Sequence, residues 1–154
     1  MAGTVRVVID TNIVLDVFIF DDAAARELKQ CLVRGGLHWI ATQPMRDELE
    51  RVLDYAHIVS RMAFYGLQAE DVLAGFDRHV TLVEVAAKAS AVCRDPDDQK
   101  FIDLAVHHRC LLLSKDKAVL TMRKRLAALQ VIAQPAMPAS SYSPSAVEAG
   151  SSLG

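Results

Sequence analysis

Short apolar runs alternate with amphipathic stretches along this chain, and turn-forming residues mark the changes between them. Val5 to Ile9 is apolar and β-branched, closes on Asp10 and is too short for a helix of its own, which predicts a buried strand. Asn12 to Phe20 reads as a first helical segment. Asp21 and Asp22 offer a cap and favourable negative charge to a second helix, which turns Leu28, Cys31 and Leu32 inward and stops at Gly35-Gly36. A second strand is expected at Leu37 to Ala41. Thr42 and Pro44 open a third helix with Met45, Leu49, Val52, Leu53 and Ala56 as its apolar stripe, and Glu48 borders that stripe. Ile58 to Val80 reads as two shorter helices parted near Gly66, followed by a strand at Thr81 to Val85. Asp95-Pro96 starts the next helix, whose inward positions are Phe101, Ile102, Ala105 and Val106. A strand at Leu111 to Ser114, a helix at Lys117 to Leu126 and a last strand at Leu129 to Ala133 complete the pattern.

The repeated order of strand then helix predicts a three-layer α/β/α sandwich around a mainly parallel central sheet. A chain of 154 residues, 52% hydrophobic and 23% charged, fits one domain with a sizeable core. That domain is expected to span residues 1–134. From Pro135 the composition turns to Ser, Pro, Ala and Gly, with too little apolar surface to offset ordering entropy, so 135–154 reads as a flexible tail.

Three further features narrow the function. The amino terminus has no basic stretch leading into an apolar run, and Asp10, Asp16, Asp21 and Asp22 interrupt the residues beyond it, so no membrane partner and no export are expected. Cys31, Cys93 and Cys110 are scattered among apolar neighbours, as buried thiols of a cytoplasmic protein would be, and lack the close pairs of zinc or redox motifs. A net charge of −2 argues against holding nucleic acid by bulk electrostatics alone, while leaving room for local basic patches.

The candidate chemistry lies in four acids placed where the chain turns or a helix begins: Asp10, Glu48, Asp98 and Asp116. Each has an ordinary explanation as a turn former, a helix-surface charge or a cap, and Asp98 lies where Asp95 as cap would make an acidic capping box. Two arguments favour a shared site. In a parallel sheet the strand ends carrying Asp10 and Asp116 fall on one edge, and Asp98, spaced three, four and seven before Phe101, Ile102 and Ala105, lies on the inward stripe of its helix. Carboxylates about 5 Å apart repel by roughly 3 kcal/mol at an effective dielectric near 20, a penalty that a divalent cation removes. All-oxygen ligands suit Mg²⁺ or Mn²⁺, and such an ion with an open coordination position acidifies water and stabilises charge on a phosphoryl group, so phosphodiester hydrolysis is the natural reaction. Thr11, Asn12 and Ser114 stand one or two residues from these acids, where an amide or hydroxyl can orient a carboxylate. Between Leu111 and Arg125 there are five basic residues against Asp116, a local charge of +4. Within it Lys115 and Lys117 are the best placed for substrate phosphates, and Arg123 to Arg125 read equally well as a solvated helix face.

At these residues the chain resembles the PIN domain family, in its branch of toxin components from toxin-antitoxin systems. The resemblance spans roughly Val5 to Ala133 and rests on Val-Ile-Asp10-Thr11-Asn12, on Thr42 with Glu48-Leu49, on Cys93-Arg-Asp-Pro-Asp-Asp98 with Phe101 and Ala105, and on Leu-Leu-Leu-Ser114-Lys-Asp116. It implies a Rossmann-like α/β/α fold and Mg²⁺- or Mn²⁺-dependent ribonuclease activity, with Asp10, Glu48, Asp98 and Asp116 as the matching acids. Asn12 and Ser114 match its supporting polar positions. Many relatives carry a further acid two residues beyond Asp116, where this chain has Ala118; a second ion therefore has less support than the first, and Asp95 or Asp97 can contribute instead. The resemblance also implies a possible homodimer and a small antitoxin protein as partner. The expected function is thus a metal-dependent endoribonuclease acting on RNA, with single strands favoured. The rival readings are a non-catalytic module of the same fold that binds RNA or a partner, and a phosphatase or phosphoacceptor domain with Asp10 as nucleophile, which the lack of an acid at position 12 disfavours.

Overall fold

In the computed structural model, which describes residues 5–20 and 22–137, five parallel strands form one sheet in the order β3-β2-β1-β4-β5. The strands are β1 (Val5–Ile9), β2 (Leu37–Ala41), β3 (Val80–Leu82), β4 (Leu111–Leu113) and β5 (Ile132–Gln134). Val7, Val8 and every residue of β4 are buried, as expected of central strands covered on both faces. Chain growth runs from β1 outward through β2 to β3, then crosses back to β4 and continues to β5. Right-handed crossovers therefore put α2 (Ala23–Arg34), α3 (Gln43–Val52), α4 (Ala56–Phe64) and α5 (Ala69–His79) on one face. By the same rule α6 (Gln99–His108), α7 (Lys117–Leu120) and α8 (Arg123–Ala128) cover the other, completing the three-layer α/β/α sandwich. The reversal of direction between β1 and β4 opens a crevice at their carboxyl ends.

Several boundaries differ from the pattern-based expectation for local reasons. The first helical segment is two pieces, α1 (Thr11–Leu15) and a π-helical turn at Asp16–Phe20. Lys117 to Leu126 is broken at Thr121 and Met122 into α7 and α8, and β5 begins at Ile132. β3 is limited to Val80–Leu82, and the chain then runs without regular structure until a 3-10 turn at Pro96–Asp98. Two polar side chains of α6 hold this long irregular segment: Asp103 accepts from Ala89 N at 2.8 Å, while Gln99 accepts from Cys93 N at 2.7 Å and donates to Ala91 O at 3.0 Å. Gly35 ends α2 at φ 78°, the left-handed conformation that suits glycine. Asp22 occupies the N-cap position of α2 without a side-chain cap bond, and Asp21 lies outside the described residues.

The core is continuous across both layers. Trp39 is 1% exposed, stacks on Phe18 at 6.1 Å and meets Phe76 edge-on at 5.2 Å. Gly75 lies so close to Phe18 that a Cβ there would come within 2.8 Å of its ring. All three cysteines are free and buried, and burial pushes the Cys110 thiol up to about 12. Met137 is buried, whereas 138–154, most of the expected tail, lies outside the described residues. Among the described residues no helix is long and apolar enough to cross a membrane. Leu112 on β4 is fully buried beneath the crevice, so Leu112→Ala is expected to lower unfolding free energy by about 2–5 kcal/mol in urea denaturation.

Candidate functional site

The crevice floor is built by β1 and β4, whose register sets Ile9 beside Leu113. Asp10 N donates to Leu113 O at 2.9 Å, so the residues just past both strands are held side by side. Ser114 is completely buried and joins two acids: its Oγ donates to Asp10 Oδ2 at 2.6 Å and accepts from Asp116 N at 3.1 Å. Three acids also perform the local task their positions suggest. Asp10 accepts from Asn12 N at 3.3 Å, Asp116 from Ala118 N at 2.9 Å and Asp95 from Asp97 N at 3.1 Å, each opening a helical turn. The reciprocal capping box expected between Asp95 and Asp98 is replaced by the 3-10 turn, in which Asp98 N donates to Asp95 O and the Asp98 side chain turns inward.

Capping accounts for one oxygen of each of these groups and Ser114 takes the other Asp10 oxygen, so Asp10 is outside the group of carboxylates that converges. Asp95, Asp98 and Asp116 each present a carboxylate oxygen within 4.8 Å of the others, a spacing compatible with a shared metal ion. Asp98 is 6% exposed, and its Oδ2 is buried without a hydrogen-bond partner. Burial first, then the hydrogen bond shared with the Asp116 carboxyl, then the charges of Asp10, Asp116 and Asp95 push Asp98 up to about 8. Asp10 is also raised by burial, with Glu48 and Asp116 adding to the effect, against the hydrogen bonds from Ser114 and Asn12. A buried carboxylate oxygen with no donor, surrounded by like charges, is a group that a cation would satisfy. The donor set is entirely oxygen, which fits a hard divalent ion.

Glu48 enters from α3, close enough for its charge to act on Asp10. Thr11 Oγ1 donates to its Oε2 at 3.2 Å, and its Oε1 faces the Lys100 ammonium. Asn12 is exposed, and what it gives Asp10 is its backbone N–H. Lys115 is held against Asp16 Oδ2 at 2.5 Å, so part of the +4 segment is balanced by an acid outside it. Lys117 is exposed at the start of α7, and Arg123 is turned away to donate to Ala133 O at 3.2 Å.

Two residues of this region are not singled out by pattern or spacing. Asp16, 8% exposed, reads as one of several acids interrupting an apolar run, and only the π-helical turn shows that it anchors Lys115. Lys100 lies off the inward stripe of α6, yet its long stem carries the ammonium back over the Phe101 ring at 5.1 Å to Glu48. The signal for it in the sequence is its position, two residues after Asp98 at the start of the helix.

With this geometry in place, comparison with known proteins gives a consistent answer. The PIN domain family matches residues 6–118, a span that contains Asp10, Glu48, Asp95, Asp98 and Asp116. No curated protein matches the chain. The match covers more than half of the sequence, and the chain belongs to the PIN domain family.

Proposed function

We propose that this protein is a Mg²⁺- or Mn²⁺-dependent endoribonuclease that hydrolyses RNA phosphodiester bonds. PIN domains are generally nucleases that use divalent metals, and the crevice at the β1/β4 reversal is where a sheet of this kind places its ligands. The observation that carries the reading is the buried, undonated Oδ2 of Asp98, on a carboxyl group that converges with those of Asp95 and Asp116. Those three carboxylates would hold the cation. When bound, such an ion supplies Lewis-acid chemistry, drawing charge from a phosphoryl oxygen and making an attacking water more acidic.

The chain's own groups do the rest. Asp10, fixed by Ser114, completes the negative field at the ion, and Glu48, fixed by Thr11, is placed to orient water or accept its proton. Lys117, exposed beside Asp116, would meet a substrate phosphate, and Lys115 would do so from the position Asp16 gives it. A toxin role, held in check by a small antitoxin protein in the cytoplasm, is supported by the resemblance to the toxin branch; the buried free thiols suit a reducing compartment. The same resemblance supports a homodimer.

Cleavage of single-stranded RNA in Mn²⁺, stopped by a chelator, is the expected result on a denaturing gel. Filter binding that persists in chelator, with no cleavage in Mn²⁺, would instead establish a binding module of the same fold.

A further inference from the structure

Among the described residues, a cation of the chain's own meets one of the acids of this site, Glu48. Lys100 Nζ faces Glu48 Oε1, donates to Asp97 O at 2.7 Å and lies 5.1 Å from the Phe101 ring centroid. Its side chain is 28% exposed and that of Glu48 is 21%, so this pair is set into the pocket and not on the open surface. Charge continuity links the two ends: Glu48 acts on Asp10, and Asp10 acts on Asp98. At the Asp98 end the carboxylates of Asp95, Asp98 and Asp116 converge with one oxygen unserved. At the Glu48 end Thr11 donates to Oε2, while Oε1, buried and without a hydrogen bond, is met by the Lys100 ammonium as an ion pair. Lys115, another lysine bordering the site, is engaged by Asp16 and does not supply this charge.

We propose that Lys100 is a positioning residue that takes the place of a second divalent cation, so that the pocket binds a single ion at Asp95, Asp98 and Asp116 while the lysine neutralises and orients Glu48. This rests on the metal-dependent reading above and adds to it the number of ions and a role for a residue outside the acidic set. An ammonium and a divalent ion compete for the same carboxylate, and the ammonium, tethered by Asp97 O and the Phe101 face, needs no uptake from solution. Glu48 is thereby held by a group that cannot ligate, and stays available to orient water.

The test is the number of Mn²⁺ ions bound per full-length chain, read by calorimetric titration and by the loss of the free-ion paramagnetic resonance signal. Wild type and Lys100→Arg, which keeps the charge, are expected to bind one ion. Lys100→Met is expected to bind two, the second more weakly, and Lys100→Met combined with Glu48→Gln to return to one. Glu48→Gln alone is expected to stay at one, which keeps the inference testable if Lys100→Met does not fold. Two ions in wild type, one in a folded Lys100→Met, or none in Glu48→Gln would each overturn the role of Lys100 while leaving the carboxylate site standing. No ion in wild type would overturn the site itself.

Discussion

Asp98→Asn is expected to lower Mn²⁺-dependent RNA cleavage by about 100-fold or more while raising the melting temperature of the metal-free protein. The two effects share one cause. Asp98 is the acid whose burial and neighbours oppose its charge most strongly, with Asp116 hydrogen-bonded to it and Asp10 and Asp95 adding repulsion. Each close carboxylate pair costs roughly 3 kcal/mol at about 5 Å and an effective dielectric near 20, before solvent and partial protonation reduce it. Asparagine keeps the shape, donates to Asp116 without borrowing a proton and removes the charge. For a domain of this size a gain of 1 kcal/mol corresponds to a rise of about 2–4 °C, which differential scanning fluorimetry in chelator resolves. The pairing of readouts separates this mechanism from simple misfolding, in which activity and melting temperature fall together. Equal cleavage rates for wild type and Asp98→Asn would remove Asp98 from the chemistry.

The same residues show how far pattern and spacing reach. Val5–Ile9 and Leu37–Ala41 are found at the expected bounds because a buried parallel strand advertises itself as an uninterrupted apolar run, and the residue that ends it must turn the chain. The position of Asp10 and Asp116 at one sheet edge follows from that parallel order, and Asp98 is buried as its place before Phe101 and Ile102 suggests. Pattern gives out where side chains act across the fold. Nothing local distinguishes Asp16 from Asp21 or Asp22, since its role depends on Lys115, which follows the neighbouring strand β4 and is distant in sequence. Lys100 is a similar case: a helical wheel places the Cα, whereas the ammonium lies at the end of a flexible stem and goes where charge and the Phe101 face draw it. The irregular stretch from Val83 to Arg94 forms no ladder of its own; Gln99 and Asp103 bond its backbone at Ala89, Ala91 and Cys93, and the stretch leads to Asp95, which meets Asp98 and Asp116. Asp95 is accordingly legible as a cap, and its further function, closing the carboxylate triangle, depends on a turn whose 3-10 geometry the dipeptide Asp95-Pro96 does not specify.

Stability of the metal-free protein is expected to fall as pH rises from about 6.5 to 8, and saturating Mg²⁺ or Mn²⁺ is expected to flatten that slope. The sign comes from proton binding. Asp98 is raised from 3.8 to about 8 in the fold, and Asp10 is raised in the same direction, so above the unfolded value the native state holds protons that the unfolded chain has released. Their contribution is complete below about pH 4 and is lost as pH climbs through the folded values, with a limiting slope of about 1.4 kcal/mol per pH unit for each proton so held. His79 and His108 are lowered by burial first and neighbouring positive charge second, so the unfolded chain takes up their protons first as pH falls through the ordinary histidine range, which opposes the Asp98 slope near pH 6.5 and fades toward pH 8. Cys93 and Cys110 are raised by burial, so the unfolded chain releases those protons only toward pH 9. On the proposed reading a divalent ion would replace the proton as the partner of Asp98, and at 100 times its dissociation constant it would add about 2.7 kcal/mol. Because the proton competes with it, the cation-induced rise in melting temperature grows from pH 6.5 to 8 in wild type. In Asp98→Asn the metal-free slope is shallower and the cation adds little. A rise that is the same at both ends of the window, or equal in the two proteins, would mean that the ion is held elsewhere than at Asp98.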